Sequence, residues 1–331
     1  CRDREIVFTS GATEANNIAL RGITALRDAP GQHRKLIVTT AIEHSAIREP
    51  LEQMAREGYE IIRLPIDRDG VADVDALAEL LEARADEIAI VTIHWANNET
   101  GVIQPIERIA ELCREHRVPC HSDATQAVGK LPVDLSAVPL SALSLSGHKL
   151  HGPKGVGALF IRTAQRLRPW LVGGPQERER RGGTENVPGI LGLAKAAELA
   201  RAFLDTDGPR QVQALRDRFE QAVLDAVPDA QVNAGDAPRL WNTTNLGFPP
   251  LEAEALLMLL SERGLCASAG AACSSGSLEP SPVLLAMGID EPVAHGSLRF
   301  SLSRDTTESE IDRAIQLVPT VVEKVRGSMV V

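Results

Sequence analysis

Through the first two-thirds of the chain, short apolar runs alternate with stretches whose apolar residues recur at helical spacing. The runs with strand character are Ile6–Thr9, Leu36–Thr40, Glu60–Leu64, Ile88–His94, Val118–Ser122, Ala142–Ser146 and Val156–Ile161. Between them, Ala15, Ile18, Ala19, Gly22, Ile23 and Leu26 form one stripe at a period near 3.6, and Ile106, Ile109, Ala110, Leu112 and Cys113 form another. Strand–helix alternation of this kind predicts an α/β fold, a mostly parallel sheet covered by helices on both faces. After Trp170 the texture changes, and the stretch VGGPQERERRGGTEN, rich in glycine and charge, reads as a loop or an interface segment. A helical pattern then runs from Val187 to Asp205, DTDGP (Asp205–Pro209) breaks it, and a second helix reaches about Val227. The remainder mixes strand (Leu240–Phe248), helix (Leu251–Arg263), strand (Ser297–Leu302) and a last helix from about Thr307. The expected organisation is a larger domain over 1–206 and a smaller α+β domain over 207–331.

Composition narrows the classes. The 331 residues include 35 Lys+Arg against 45 Asp+Glu, a formal net charge of −10, with 44% hydrophobic and 24% charged residues. That balance excludes disordered and fibrous chains, and no apolar run approaches the roughly 18–20 residues a bilayer requires. The acidic excess argues against nucleic acid as the main partner. Aromatic residues at 3% supply few platforms for stacking bases. Five cysteines, Cys1, Cys113, Cys120, Cys266 and Cys273, form no CxxC pair and no short Cys/His cluster, so no metal site is expected. Their odd number in a long chain fits a reducing, cytoplasmic setting better than a disulfide framework. The chain enters a strand within a few residues of Cys1, and a segment ahead of it is expected to be missing.

Four segments carry candidate chemistry. In SGHKLHGPKG, Lys149 follows a strand in a turn rich in Gly and His; it is either a surface lysine or one whose partial desolvation readies it for a carbonyl. In HSDATQAVG, Asp123 sits at the C-terminal edge of a short strand, where α/β sheets place ligands, although it would also serve as an N-cap. A lysine and a carboxylate at two strand ends are what pyridoxal phosphate requires, one to bind its aldehyde and one to keep its ring nitrogen protonated. In FTSGATEANN, a strand, Gly11-Ala12-Thr13 and a helix start provide free N–H groups and a hydroxyl for a phosphate, or simply a capped helix. In SAGAACSSGSLEPS, small neighbours leave the Cys273 thiol accessible, as a nucleophile needs, unless the stretch is a plain small-residue turn. The other cysteines have structural explanations: Cys113 on an apolar helix face, Cys120 and Cys266 in strand-like runs, and Cys1 at the chain start.

Together these segments resemble the cysteine desulfurases, a branch of the class V aminotransferases on the type I pyridoxal-phosphate fold. The likeness runs in order through FTSGATEANNIAL, AIEHSAI, HWANNETGVIQPI, HSDATQAVG, SGHKLHGPKGVG, RRGGTENV, ASAGAACSSGSLEPS and GSLRFSLSRDTT. The long stretch around Cys273 looks like the group serving nitrogen fixation and iron–sulfur cluster assembly. The resemblance implies pyridoxal 5'-phosphate as cofactor and Lys149 as the residue that binds it covalently and shuttles protons. It implies that Asp123 pairs with the pyridine nitrogen, Gln126 with the ring hydroxyl, and that His44 stacks on the ring and assists proton transfer. Ala12, Thr13, Ser146 and His148 would hold the phosphate, with Thr184 reaching it from the other subunit of a homodimer. Asn98 and Arg299 would bind the substrate carboxylate, and Cys273 would accept the sulfur.

The reaction so implied converts L-cysteine to L-alanine and leaves a persulfide for an acceptor protein such as an iron–sulfur scaffold. The same fold also serves aminotransferases and selenocysteine lyase, and an inactive truncated member is a further alternative. Family members carry several dozen residues ahead of the point where this sequence starts, including a segment that lines the pocket. Pro175 is a smaller departure from the family pattern.

Overall fold

The structure, a computed structural model, describes residues 1–28, 33–270 and 279–328. The chain divides into two compact units. The first comprises Cys1–Ile66, Ala72–Ala96 and Gln104–Ala202; the second comprises Asp67–Val71, Asn97–Ile103 and Phe203–Val331. Two short excursions thus belong with the C-terminal residues and not with the sequence around them.

In chain order the first unit holds β1 (Ile6–Thr9), α1 (Ala12–Arg27), β2 (Leu36–Thr39), α2 (Ser45–Arg56), β3 (Glu60–Arg63), α3 (Val74–Arg84), β4 (Ile88–Thr92), α4 (Ile106–Glu115), β5 (Cys120–Asp123), β6 (Ala142–Ser146) and β7 (Gly157–Ile161). A single turn, α5 (Gln176–Glu179), and the long α6 (Val187–Leu204) follow. Among the described residues the strands form one seven-stranded sheet in the order β1-β7-β6-β5-β4-β2-β3. Pairing is parallel from β6 through β3, and β7 runs antiparallel to both β1 and β6. All residues of β2 and β4 are buried, the pattern of interior strands covered on both faces. The edge strand β3 is half exposed, as its EIIR sequence requires.

The α1 stripe is what attaches that helix to the sheet. Ala15, Ile18, Ala19 and Ile23 are fully buried and cluster with Val7, Ile37, Ile90 and Leu159. Each such branched side chain contributes about 1.5–3 kcal/mol on leaving water. A second cluster joins Leu150, Val156 and Ala158 to Leu193 and Ala196 of α6.

The second unit contains α7 (Gly208–Ala226), β8 (Gln231–Val232), β9 (Thr243–Gly247), α8 (Ala253–Glu262), α9 (Pro282–Ala286), α10 (Glu291–His295), β10 (Ser297–Ser301) and α11 (Glu308–Ser328). Its antiparallel sheet has the order β10-β9-β8. Phe219 of α7 meets Phe300 of β10 with ring centroids 5.0 Å apart, inside a core that includes Leu256, Leu260, Val318 and Val322. The strand expected around Cys266 is reduced to one antiparallel bridge, Ser268 with Arg299, and the Cys266 thiol is exposed beyond the end of α8. Among the described residues no helix is long and apolar enough to cross a membrane.

Candidate active site

Asp123 ends β5 with its side chain only 6% exposed. Its Oδ2 accepts from Asn16 Nδ2 at 2.7 Å, and its Oδ1 accepts from the Thr125 backbone N–H at 3.0 Å. A buried carboxylate needs such donors, and two oxygens offer about four lone-pair sites, so capacity remains for a protonated ring nitrogen. Asn16 lies on the buried face of α1, one turn after Ala12, and a polar residue among apolar ones on that face is the signal that could have identified it. Asn16 Oδ1 and Thr125 Oγ1 are buried without a hydrogen-bond partner among the described residues.

The start of α1 lies beside the end of β6. Gly11 caps α1 without a side chain, and Ala12 and Thr13 open the helix. A Cβ on Gly11 would lie 3.5 Å from Ser146 Oγ. A Cβ on Gly157 would come within 2.6 Å of the Gly11 Cα, so the strand can pass there only as glycine. Ser146 Oγ and His148 Nδ1 are 2.9 Å apart. Burial, then the positive charges of Lys149 and Lys154, hold His148 below the ordinary histidine range. The result is a patch of helix-start N–H groups, one hydroxyl and one imidazole, the donor set a phosphate takes. Lys149 itself stands in the turn Gly147–Leu150 and is exposed.

His44 caps α2, its Nδ1 accepting from the Ala46 backbone N–H at 3.1 Å. Burial lowers its pKa; the Asp123 carboxylate opposes this, while Lys149 and Arg48 add to it. The ring is therefore neutral near pH 7 and able to take a proton. The preceding residue, Glu43, accepts from Thr40 Oγ1 at 2.7 Å and from the His94 backbone N–H, and its Oε1 lies 3.2 Å from His94 Nδ1. Burial opposes charge on His94, but Glu43 outweighs it and the pKa rises. Neither Glu43 nor His94 was identified from the sequence, where His94 reads as the last residue of a strand. Gln126 Oε1 accepts from Lys130 Nζ at 2.7 Å, which leaves its carboxamide nitrogen to donate. Thr184 is exposed, in a segment tied to α1 by Arg181 Nε donating to Glu14 Oε1 at 2.7 Å.

In the second unit, Arg299 of β10 donates through Nη1 to the backbone carbonyl of Asn98 at 2.7 Å. The two residues proposed for a substrate carboxylate are thus in direct contact. Cys273 lies outside the described residues. Among those described, no cluster of His, Cys, Asp and Glu has metal-ligand geometry.

These groups fit pyridoxal phosphate on structural grounds: a glycine-lined cradle facing Ser146, unsatisfied buried polar atoms beside Asp123, and a neutral imidazole at His44. The comparisons agree. Residues 1–314 match the class-V aminotransferase family. Cysteine desulfurase 2 of Trichormus variabilis is 50% identical over 325 residues, covering 98% of this chain and 79% of that protein. A solved structure described as a NifS-like protein superposes with a TM-score of 0.86 at 33% identity, covering 97% of this chain and 83% of that one. Another, SspA in complex with cysteine, gives a TM-score of 0.77 at 33% identity, covering 93% and 84%. The chain therefore belongs to the class-V aminotransferases, pyridoxal-phosphate-dependent enzymes, within their cysteine desulfurase branch.

Proposed function

We propose that this chain is a cysteine desulfurase that converts L-cysteine to L-alanine and passes the sulfur to Cys273 as a persulfide. The observation that carries this reading is Asp123, buried at a strand end and held by Asn16, in the same unit as the Gly11–Ser146–His148 phosphate patch and Lys149. Asn98 and Arg299, in mutual contact, supply the carboxylate-binding pair, and the similarity to named desulfurases supports the choice of reaction.

Bound pyridoxal phosphate supplies an electron sink that makes the Cα–H of an amino acid acidic. Asp123 keeps the ring nitrogen protonated, and Gln126 donates to the ring hydroxyl. Ala12, Thr13, Ser146 and His148 hold the phosphate. The Arg299 guanidinium and Asn98 orient the substrate carboxylate. Lys149 moves the proton at Cα, with neutral His44 as its neighbour for further transfers. The Cys273 thiolate then attacks the substrate sulfur: the C–S bond breaks, an S–S bond forms, and the carbon keeps the electron pair and takes a proton. L-Cysteine and one thiol thus give L-alanine and one persulfide, with the sulfur oxidised and the carbon reduced.

The persulfide is proposed to pass to an acceptor protein such as an iron–sulfur scaffold, in the reducing cytoplasm where free thiols persist. A homodimer with Thr184 at the subunit boundary is part of the same proposal. It is supported by Trp170, Val172, Val187 and Leu191, large apolar residues that flank the Thr184 segment in sequence and are 48%, 79%, 58% and 66% exposed.

The deciding experiment compares single cysteine replacements. Cys273→Ala should retain cofactor and respond spectrally to L-cysteine, yet lose persulfide and alanine formation by about two orders of magnitude or more. Cys113 and Cys120 are buried, and the hydrogen bond between them, together with burial, raises the Cys113 thiol, so both should be replaceable with little loss of turnover. Exposed Cys266 is the necessary control. Persulfide mapping to Cys266, or wild-type sulfide release from Cys273→Ala, would refute the mechanism.

A further inference from the structure

Glu43 is a carboxylate only 2% exposed, in the connection between β2 and α2 and one residue before His44. Its Oε1 accepts from Thr40 Oγ1 at 2.7 Å, and both of its oxygens accept from the His94 backbone N–H at 3.1 Å. His94 Nδ1 stands 3.2 Å from the same Oε1. The His94 ring is buried, and its Nε2 is without a hydrogen-bond partner among the described residues. On either side of His94, the Ile93 N–H donates to the His121 carbonyl at 3.2 Å and the Trp95 N–H to the Asp123 carbonyl at 2.9 Å. Ser122 Oγ donates to the Ile93 carbonyl at 2.8 Å. The chain around His94 is thus laid along β5 as far as Asp123, and Glu43 is fastened to it.

Stability does not account for this pair. Taking two charged groups out of water costs about as much as their attraction returns, and a buried nitrogen left without a partner adds to the cost. What the pair does provide is a fixed place. His44 has further interactions of its own, and its Nδ1 accepts from the Ala46 N–H, but the backbone from which its ring departs follows directly from Glu43. We infer that Glu43 and His94 form a positioning pair, which holds His44 in register with Asp123. This inference rests on the reading of His44 and Asp123 as groups that serve the cofactor ring.

The direction in which His44 titrates separates position from charge. Burial lowers its pKa. Asp123 at the end of β5 raises it, Lys149 in the turn after β6 and Arg48 on α2 lower it, and Glu43 raises it. If the ring stays in place, loss of the Glu43 charge alone lowers the value further. If the ring is released toward water, burial, the largest of these effects, is lost and the value rises toward that of an ordinary histidine.

The test follows the His44 ring nitrogens by NMR in the apoprotein, with His44→Gln to assign the signal. In the pyridoxal-phosphate-loaded chain it measures exchange of the L-alanine Cα proton for solvent deuterium. Glu43→Gln still accepts from Thr40 and the His94 N–H, so His44 should titrate lower than in the wild type and exchange should slow by about threefold at most. Glu43→Ala and His94→Phe should instead raise the His44 titration and slow exchange by about tenfold or more. His94→Asn, which keeps a donor where Nδ1 stands, should recover most of the rate. Glu43→Ala combined with His94→Phe should lose no more than the larger single loss, since both act through one contact.

A His44 titration lowered in Glu43→Ala, as in Glu43→Gln, would mean that Glu43 acts through its charge alone and would overturn the inference. Wild-type exchange in Glu43→Ala, or additive losses in the double variant, would do the same. If a single variant does not fold, the double variant, which leaves no unpaired charge in the interior, decides by the same direction of titration. His44→Gln is also run in the exchange experiment. Wild-type exchange there defeats the reading of His44, whereas slowed exchange there with the His44 titration unmoved in Glu43→Ala defeats the positioning role alone.

Discussion

Asn16 has no group that reacts, yet among the described residues it is one of the two donors to the Asp123 carboxylate. A hydrogen bond to a charged acceptor in a buried setting contributes about 1.5–3 kcal/mol, and the partner left behind bears the cost of its absence. Asn16→Ala should therefore weaken pyridoxal-phosphate binding by about tenfold or more while the fold persists, because Ala is the better helix former on α1. Equilibrium titration of the apoprotein with cofactor measures this directly, and affinity equal to wild type would show that Asp123 is positioned by its backbone alone. At this scale the sequence made legible the placement of Asp123 at a strand end and of Lys149 in the turn after one, whereas Ser146 came only from the family resemblance. Asn16, Glu43 and His94 were not legible because their partners lie far away in the chain: the Asn16–Asp123 bond spans 107 residues and the Glu43–His94 bond spans 51. The exposure of Lys149 was hidden for a different reason, since strand periodicity says nothing of the turn Gly147–Leu150 that follows the strand.

Between elements, His121 links three strands. Its Nδ1 meets Thr92 Oγ1 of β4 and its Nε2 meets Ser144 Oγ of β6, each at 2.9 Å, so a neutral ring donates on one side and accepts on the other. Burial, partly opposed by Asp123 and Glu43, lowers its pKa from 6.5 to about 4. Between those values the unfolded chain binds a proton that the folded chain refuses. The stability contributed by neutral His121 is therefore complete above about pH 6.5 and is lost as the pH falls toward 4, at up to about 1.4 kcal/mol per unit. His94 has the opposite sign, its raised pKa giving stability that is present at low pH and lost as the pH rises through the folded value. Glu5, lowered from 4.5 to about 2 by the Arg2 N–H and the bonds to Thr163, contributes an acid-side loss in a separate, lower window. Urea unfolding from pH 7 to 5 should thus show stability declining with acid in the wild type and a shallower decline in His121→Gln. Equal slopes would mean that the ring is protonated without loss in the folded state. The strands themselves were legible, because β2 and β4 are short apolar runs and β5 and β6 fall within the strand-like runs Val118–Ser122 and Ala142–Ser146. The antiparallel direction of β7 was not, since an apolar run carries no sign of its direction.

For the whole molecule, a single division along the sequence cannot express the excursions Asp67–Val71 and Asn97–Ile103, which join the C-terminal unit through contacts that no local pattern announces. The proposed homodimer adds a further level, with one residue of each site supplied by the other chain. Thr184 is exposed in a segment whose own chain holds it through Arg181 and Glu14, and large apolar residues flank it in sequence. Under the proposal, a site needs Lys149 from one protomer and Thr184 from the partner. When Lys149→Ala chains are mixed with Thr184→Ala chains and subunits exchange, each mixed dimer has one site with both lesions and one site with neither. Mixed dimers make up about half of a statistical population, so about a quarter of wild-type sites become intact. Desulfurase activity should rise to about that fraction, above either variant alone, provided that Thr184→Ala is itself impaired. Had Thr184 served its own chain, each site would keep one lesion and mixing would restore nothing. The rescue therefore reports which protomer supplies the residue, and sedimentation of the same mixture checks that dimers are the species present.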